Sequence, residues 1–229
     1  MKLARLPHRW NVTPKEAVAI QLRLASRVLQ TRSRKRFRLV AGVDAAFSRD
    51  GERCIAGVVL WDVGRREVVE EHVATRLLTF PYVPGLLSFR EAPAVIAALR
   101  KLRRTPEIVF CDGHGLAHPR RFGIACHLGV LLDLPAVGCG KTRLIGEHRL
   151  PAHRRGSRTL LKSHGETIGA VVRTRDGVRP IFVSVGHRID LASAARIVLR
   201  TAIGFRLPEP VRRADRLVAA FKRCALTGR

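Results

Sequence analysis

The sequence predicts an α/β fold with a mixed sheet flanked by helices, and two observations carry this prediction. Between residues 39 and 77, three apolar segments follow one another through short turns at 50–51 and Gly64, which is typical of an antiparallel meander. Over 87–139, apolar strands instead alternate with helical segments, which indicates parallel pairing of buried strands. No repeat or Pro/Gly-rich linker interrupts the chain, so we expect a single domain over 1–229.

Each predicted element has a local signal. Thr13 before Pro14, followed by apolar Val18, Leu22 and Leu29, predicts a capped amphipathic helix over 14–30. The remaining elements are meander strands at 39–47, 54–62 and 67–77, a helix at 87–103, a strand at 107–111, a helix at 120–132, a strand at 136–139, hairpin strands at 167–173 and 179–185, and helices at 191–201 and 210–224. A three-strand meander that leads into a parallel βαβ half is the layout of a ribonuclease H-like fold, although topology alone does not fix function.

The charge balance narrows the possible function classes. The 43 Lys and Arg residues against 18 Asp and Glu give a net charge of +25, and 46% of the residues are hydrophobic. A folded protein with this charge attracts a polyanion, and nucleic acid is the first candidate. An arginine-rich genome is the alternative explanation, but it does not account for the scarcity of acids.

The sequence also predicts where the protein is located. Residues 1–10 lack an apolar secretion signal, and no segment is long enough to span a membrane. The five cysteines form no CxxC pair, so we expect a cytoplasmic protein without membrane association.

Two aspartates occupy strand positions where charge is costly. Asp44 lies inside the apolar strand VAGVDAAF, and Asp112 ends the run EIVFCDG at the carboxyl end of a predicted parallel strand, where open α/β sheets bind ligands. If the two strands are neighbours, both carboxylates can share one Mg²⁺ ion, which would activate water for hydrolysis of a phosphodiester. The alternative is that each aspartate pairs with one of the many arginines.

The segment FPYVPGLLSFRE, residues 80–91, contains the only tyrosine of the chain. Tyr82 lies between Pro81 and Pro84, whose fixed φ angles exclude a helix and hold the ring on a stiff tip. Such a tip suits the separation of stacked bases. Glu91 follows in the next helix and either joins the acidic site or complements the helix dipole as a first-turn acid.

Two further stretches have the composition of binding loops. In the loop after Asp112, Gly113 and Gly115 would let the backbone approach a ligand and form the wall of a pocket for a flipped base. The spacing of the histidines and cysteines around this loop does not match a closed zinc site. Lys141 lies in GCGKT, which ends like a phosphate-binding loop but lacks its first glycine, so Lys141 is either a phosphate contact or a solvated lysine.

Together these motifs resemble the endonuclease V family of deoxyinosine-directed nucleases. The resemblance extends from the strand of Asp44 to about Asp215 through GVDAAF, PYVPGLLSFRE, CDGHGLAHPRRFGIACHLG, GCGKTRL, PIFVSVGHRIDL and LPEPVRRAD. It implies that Asp44, Glu91 and Asp112 form an acidic metal centre, with Asp44 and Asp112 as the direct ligands of Mg²⁺ or, alternatively, Mn²⁺. It also implies that Lys141 lies near the reacting phosphate, and that Asp215 lies near the metal at a position that is Asp or His in the family.

The resemblance further implies how the nucleic acid is handled. Residues Pro81, Tyr82, Val83 and Pro84 match the family's wedge, in which Val83 replaces a common isoleucine. The residues that would surround hypoxanthine are Leu87, Gly113, Gly115, His118 and Ile124. The implied reaction is hydrolysis, by a monomer, of the second phosphodiester bond 3′ to a deaminated base in double- or single-stranded DNA, leaving a 3′-hydroxyl and a 5′-phosphate. The alternatives are an inosine-specific ribonuclease, a junction resolvase of the same fold, and a nucleic-acid-binding module without catalysis.

Overall fold

The computed structural model of the protein describes residues 7–32 and 36–227, with side chains as far as Cys224. Residues 1–6, on which part of the secretion-signal expectation rests, lie outside the described residues. The helices are α1 (Pro14–Ala25), α2 (Leu87–Arg100), α3 (Ile124–Leu132), α4 (Leu191–Thr201) and α5 (Glu209–Thr227). The strands are β1 (Leu39–Phe47), β2 (Arg53–Asp62), β3 (Glu67–Leu77), β4 (Ile108–Cys111), β5 (Ala136–Gly140), β6 (Arg158–Ser163), β7 (Glu166–Val172) and β8 (Ile181–His187).

The strands form one mixed sheet in the order β3-β2-β1-β4-β5-β8-β7-β6. The predicted meander is confirmed, because β1, β2 and β3 pair antiparallel in sequence order. The predicted parallel part is also confirmed, since β4 lies between β1 and β5 and runs parallel to both. The antiparallel pairs β5–β8, β8–β7 and β7–β6 complete the sheet.

The sequence prediction missed strand β6. This strand and β7 form a hairpin whose turn residues, His164 and Gly165, have φ angles of 52° and 79°. Two successive positive φ angles are typical of the tight turns that match the twist of paired strands. Because the turn begins with histidine instead of the more common asparagine or aspartate, its sequence signal is weak.

The ends of four helices differ from their predicted positions, and α5 extends to Thr227 instead of ending at 224. Helix α1 ends at Ala25. Helix α2 ends at Arg100, because the backbone N–H groups of Arg103 and Arg104 donate to the carboxylate of Glu70 over 2.8 and 3.0 Å instead of continuing the helix. Helix α3 begins only after Gly123, its N-cap, so residues 120–122 belong to the preceding loop.

The two faces of the sheet pack against different helices. In β4, Val109 and Cys111 pack in the cluster with α2 and α3, whereas Ile108 and Phe110 pack in the cluster with α4 and α5. This alternation is expected of a strand buried on both faces. Within the described residues, no helix has the length and apolar character needed to cross a bilayer.

Helix α5 lies unusually close to β1 and β2 because two glycines face it. A Cβ atom at Gly42 would lie 2.1 Å from the carbonyl carbon of Pro210, and one at Gly57 would lie 2.8 Å from Cγ2 of Val218. Only glycine permits such backbone proximity. Asp44 is two residues beyond Gly42 and therefore faces the same side of the sheet, toward Asp215 on α5.

Candidate active site

The strands that carry the two predicted metal ligands are direct neighbours. Val43 of β1 pairs with Cys111 of β4, and the backbone N–H of Asp112 donates to the carbonyl of Val43 over 3.2 Å. Asp44 follows Val43 and Asp112 follows Cys111, so both aspartates lie at the same end of two neighbouring strands. The condition under which Asp44 and Asp112 could share a cation is met by the topology.

A third carboxylate joins this pair. One oxygen each from Asp44, Asp112 and Asp215 lie within 4.8 Å of one another. The ammonium of Lys141, which directly follows β5, lies 2.6 Å from Asp112 and 2.9 Å from Asp215. Within the described part of the chain, neither Asp44 nor Asp112 forms an ion pair with arginine, so that alternative is wrong.

Negative charge is crowded in this cluster. Burial, and then the charge of Asp112, raises the pKa of Asp44 from 3.8 to about 7. Burial alone would lower the pKa of Lys141, but its hydrogen bonds to Asp112 and Asp215 outweigh burial and raise it. Three converging carboxylates with unfavourable mutual repulsion are the hard oxygen donors that a small divalent cation prefers. The residues present therefore fit Mg²⁺ or a similar ion.

Glu91 lies behind the cluster rather than within it. It is buried on α2, and among the described residues it is not part of the group of mutually close carboxylates. Burial, followed by the charges of Asp44 and Asp112, raises its pKa from 4.5 to about 8. The first turn of α2 contains no acidic residue, so the interpretation of Glu91 as a first-turn acid is wrong.

The tip formed by residues 81–84 is exposed and anchored from below. Tyr82 is 75% exposed, whereas Phe80 at the base of the tip is buried and lies 5.4 Å from the ring of Phe89. Arg90 donates to the carbonyl of Phe80 over 2.9 Å, and its guanidinium lies 5.9 Å from the centre of the Tyr82 ring. A buried aromatic anchor and a cation beside the ring keep the tip in place without covering it.

A cavity of about 270 Å³ lies behind this tip. Four of the five residues predicted to surround a base line it, namely Leu87, Gly113, His118 and Ile124. Gly115 does not line the cavity, which corrects that prediction. Its N–H donates to the hydroxyl of Ser184 over 2.8 Å, and a Cβ atom there would lie 2.0 Å from the carbonyl oxygen of Val185. Gly115 is therefore needed for close packing against β8.

Sequence reasoning did not find several residues of the cavity wall, among them Gln21, Ser88 and Thr142. Gln21 belongs to α1, far from the other wall residues in sequence, and nothing in its local pattern indicates this position. Ser88 lies in the quoted motif FPYVPGLLSFRE, and Thr142 follows Lys141, so their positions could have been found from those motifs.

Cavity size alone does not identify the site. A larger groove of about 830 Å³ lies between the loop of Arg121 and the turn of Lys162 to His164. It contains none of the clustered aspartates, and it lies beside the β6–β7 hairpin. The smaller cavity is the better candidate because it adjoins both the exposed tip and the carboxylates.

Comparison with known proteins agrees with this geometry. The family profile described as Endonuclease V matches residues 22–216. The chain is similar to the endonuclease V of Roseiflexus sp. strain RS-1, with 50% identity over 210 residues that cover 92% of this chain and 94% of that protein. The crystal structure of endonuclease V from Streptomyces avermitilis is 41% identical, with a TM-score of 0.91 over 98% of this chain and 100% of that one.

A structure with nucleic acid is also similar. Endonuclease V of Ciona intestinalis, solved with a 24mer DNA containing an inosine followed by a ribo-adenosine, is 25% identical with a TM-score of 0.80, covering 92% of this chain and 98% of that one. The sheet and its flanking helices match these structures along most of the chain. The predicted ribonuclease H-like fold is confirmed.

Proposed function

Because this chain belongs to the endonuclease V family, we propose that it is a repair endonuclease that cuts DNA at deoxyinosine. Membership of the family makes it a nuclease that hydrolyses phosphodiester bonds of DNA. The observation that carries the choice of substrate is the adjacency of the cavity and the carboxylate cluster. Asp112 precedes the wall residue Gly113, and Lys141 precedes the wall residue Thr142, so a base in the cavity would keep its backbone near the cluster.

The exposed tip supplies the means of opening a duplex. Tyr82, flanked by Pro81, Val83 and Pro84, would enter the base stack as a wedge while the deaminated base rotates into the cavity behind it. Flipping costs a few kcal/mol, least at a mispaired base, and this difference itself favours deoxyinosine over a normal pair. The Ciona intestinalis relative was solved with inosine-containing DNA, which supports this substrate. The net charge of +25 would hold the phosphates of either double- or single-stranded DNA.

We infer that Asp44 and Asp112 hold a Mg²⁺ ion, with Mn²⁺ as the alternative. Bound there, the ion would supply charge stabilisation on the phosphate and a lowered pKa for an attacking water. Asp215 offers a third oxygen at the same place. The ammonium of Lys141, kept charged by Asp112 and Asp215, would then contact a phosphate oxygen as a point charge. Glu91, whose pKa is raised to about 8, would complete the acidic centre beside the direct ligands, and a bound cation would favour its ionised form.

The position of the cut and the setting of the protein complete the proposal. Cleavage at the second phosphodiester bond 3′ to the lesion would leave a 3′-hydroxyl and a 5′-phosphate without excision of the base. We propose that residues 1–229 act as one domain, as a monomer in the cytoplasm.

Four substrates test this proposal against its alternatives. End-labelled duplex DNA with one deoxyinosine, the same strand alone, an RNA with one inosine and a four-way junction would be incubated with the protein and Mg²⁺. We expect one cut in each inosine-containing DNA and none in a matched duplex with deoxyadenosine. Faster cutting of the RNA would indicate the ribonuclease alternative, and cutting of the junction alone would indicate a resolvase. Binding without any cutting would contradict catalysis and would indicate a nucleic-acid-binding module.

A further inference from the structure

Three side-chain donors converge on one backbone oxygen directly after the exposed tip. The carbonyl of Gly85 accepts from Nε2 of Gln21 over 3.0 Å, from Nε2 of His118 over 2.9 Å and from a guanidinium nitrogen of Arg120 over 2.7 Å. A carbonyl oxygen has two lone pairs, so this acceptor is saturated. Gly85 itself has a φ of +78°, a conformation that favours glycine and reverses the chain between residues 81–84 and α2.

The three donors are also bonded to one another. Nε of Arg120 donates to Oε1 of Gln21 over 2.5 Å, and the backbone N–H of Arg120 donates to Nδ1 of His118 over 3.2 Å. Nε2 of Gln21 donates a second time, to the carbonyl of Phe122 over 3.1 Å. The network therefore joins α1, the residue after the tip, and the loop that leads into α3.

The polarity of the network is fixed by its acceptors. A carbonyl can only accept, so the proton of the His118 ring lies on Nε2 and its Nδ1 is free to accept from Arg120. Burial lowers the pKa of His118 to about 4, which keeps the ring neutral and preserves this tautomer near neutral pH. Both polar atoms of the Gln21 amide are used, although the residue is only 1% exposed.

We propose that Gln21, His118 and Arg120 form a clamp on the carbonyl of Gly85 that fixes the wedge relative to the base pocket before DNA binds. Gln21 is a positioning residue in this clamp. A buried amide on an amphipathic helix would be costly without these bonds, so its presence points to the acceptors it serves. Fixing the tip in advance avoids the cost of ordering it when it enters the duplex. The proposal rests on the wedge function proposed above for Tyr82.

Two substitutions separate the clamp from simple packing. Gln21→Met keeps the length of the side chain and removes all of its hydrogen bonds. Gln21→Glu keeps an acceptor for Arg120 but cannot donate to Gly85 or Phe122, and it faces both carbonyls with a carboxylate. The matched control is Leu22→Met, which introduces the same residue at the next, exposed position of α1.

Hydrogen exchange of the DNA-free protein tests the clamp without any assay of activity. The amides of Leu86 and Phe89, which donate to the carbonyls of Val83 and Leu86, would be followed by mass spectrometry, with the melting temperature recorded in parallel. We expect exchange there to accelerate roughly three- to tenfold in both Gln21 variants, as for the loss of one or two hydrogen bonds, and to stay unchanged in Leu22→Met. Exchange equal to wild type would overturn the proposal. Acceleration spread over the whole chain with a lower melting temperature would also overturn it, because Gln21 would then only support the fold.

Single-turnover nicking assigns the effect to the wedge. We expect the protein concentration for half-maximal rate on an inosine duplex to rise roughly three- to tenfold in Gln21→Met, with the saturating rate unchanged. The rise should be smaller on single-stranded inosine DNA, which needs no opening. An equal rise on both substrates would contradict action through the wedge. If wild-type protein cuts no inosine substrate, the proposed function fails, and hydrogen exchange still decides whether the clamp exists.

Discussion

Replacing Asp44 by asparagine should stabilise the cation-free protein at alkaline pH, even though the substitution removes a predicted metal ligand. The physical reason is the crowding of negative charge. Burial and the neighbouring Asp112 raise the pKa of Asp44 from 3.8 to about 7, so the folded state binds this proton more tightly than the unfolded chain does. Stability is therefore lost as the pH rises from about 4 to about 7, and the full cost is present above that window.

The magnitude follows from the size of the shift. At 1.36 kcal/mol per unit, the raised pKa of Asp44 lowers the stability by about 4 kcal/mol at pH 8 and by about 2 kcal/mol at pH 5, relative to a pH below both pKa values. Asp44→Asn avoids this cost, since its amide has a similar shape and no charge. For a chain of 229 residues, about 4 kcal/mol corresponds to roughly 10 °C in melting temperature.

Thermal unfolding in a chelator at pH 5 and pH 8 measures the effect. Wild type, Asp44→Asn and the exposed control Glu52→Gln would be compared, first in the chelator and then with Mg²⁺ in excess over it. We expect the advantage of Asp44→Asn to be larger at pH 8 and to shrink when Mg²⁺ is added, because the cation stabilises only the wild-type carboxylate. A variant that is destabilised equally at both pH values would refute the charge-crowding argument.

Two further substitutions test the exposed tip and the packing of α5 against β1. Tyr82→Ala should leave the free energy of unfolding within about 0.5 kcal/mol of wild type, because the ring is exposed. Its affinity for an inosine duplex, measured by fluorescence anisotropy without divalent cation, should fall by about 1–3 kcal/mol through lost stacking, and an unchanged affinity would exclude the wedge. Gly42→Ala should lower the free energy of unfolding in urea by about 1–3 kcal/mol, because its Cβ would meet Pro210 at 2.1 Å. Nicking should fall as well, since α5 carries Asp215, and wild-type stability would contradict the close approach of α5 to β1.

The acidic pair could be predicted from sequence because its signals are local. Asp44 interrupts an apolar strand and Asp112 ends one, and the alternation of strands and helices then predicts the parallel neighbours that bring them together. Asp215 could not be found in this way and came only from the family resemblance. Its position depends on the close approach of α5, which Gly42 and Gly57 permit at a long distance along the chain.

The clamp around Gly85 shows a second limit of sequence reasoning. Gln21 is a polar residue on an amphipathic helix, and nothing nearby in the sequence indicates that it is buried or which carbonyl it serves. Gly113 and Gly115 have the same local signal, yet only Gly113 lines the cavity. The direction that each residue faces is set by tertiary packing, which a pattern of residue types does not contain.

The most direct test of the central claim is nicking of an end-labelled duplex with one deoxyinosine by wild type and Asp112→Asn. The account predicts a single Mg²⁺-dependent cut at the second phosphodiester bond 3′ to the lesion. It predicts no cut in a matched duplex that carries deoxyadenosine instead of deoxyinosine. Asp112→Asn should bind the duplex but cut it at least about a hundredfold more slowly, because several kcal/mol of charge stabilisation are lost. Cutting by Asp112→Asn at the wild-type rate, or wild-type cutting in a chelator, would contradict the account.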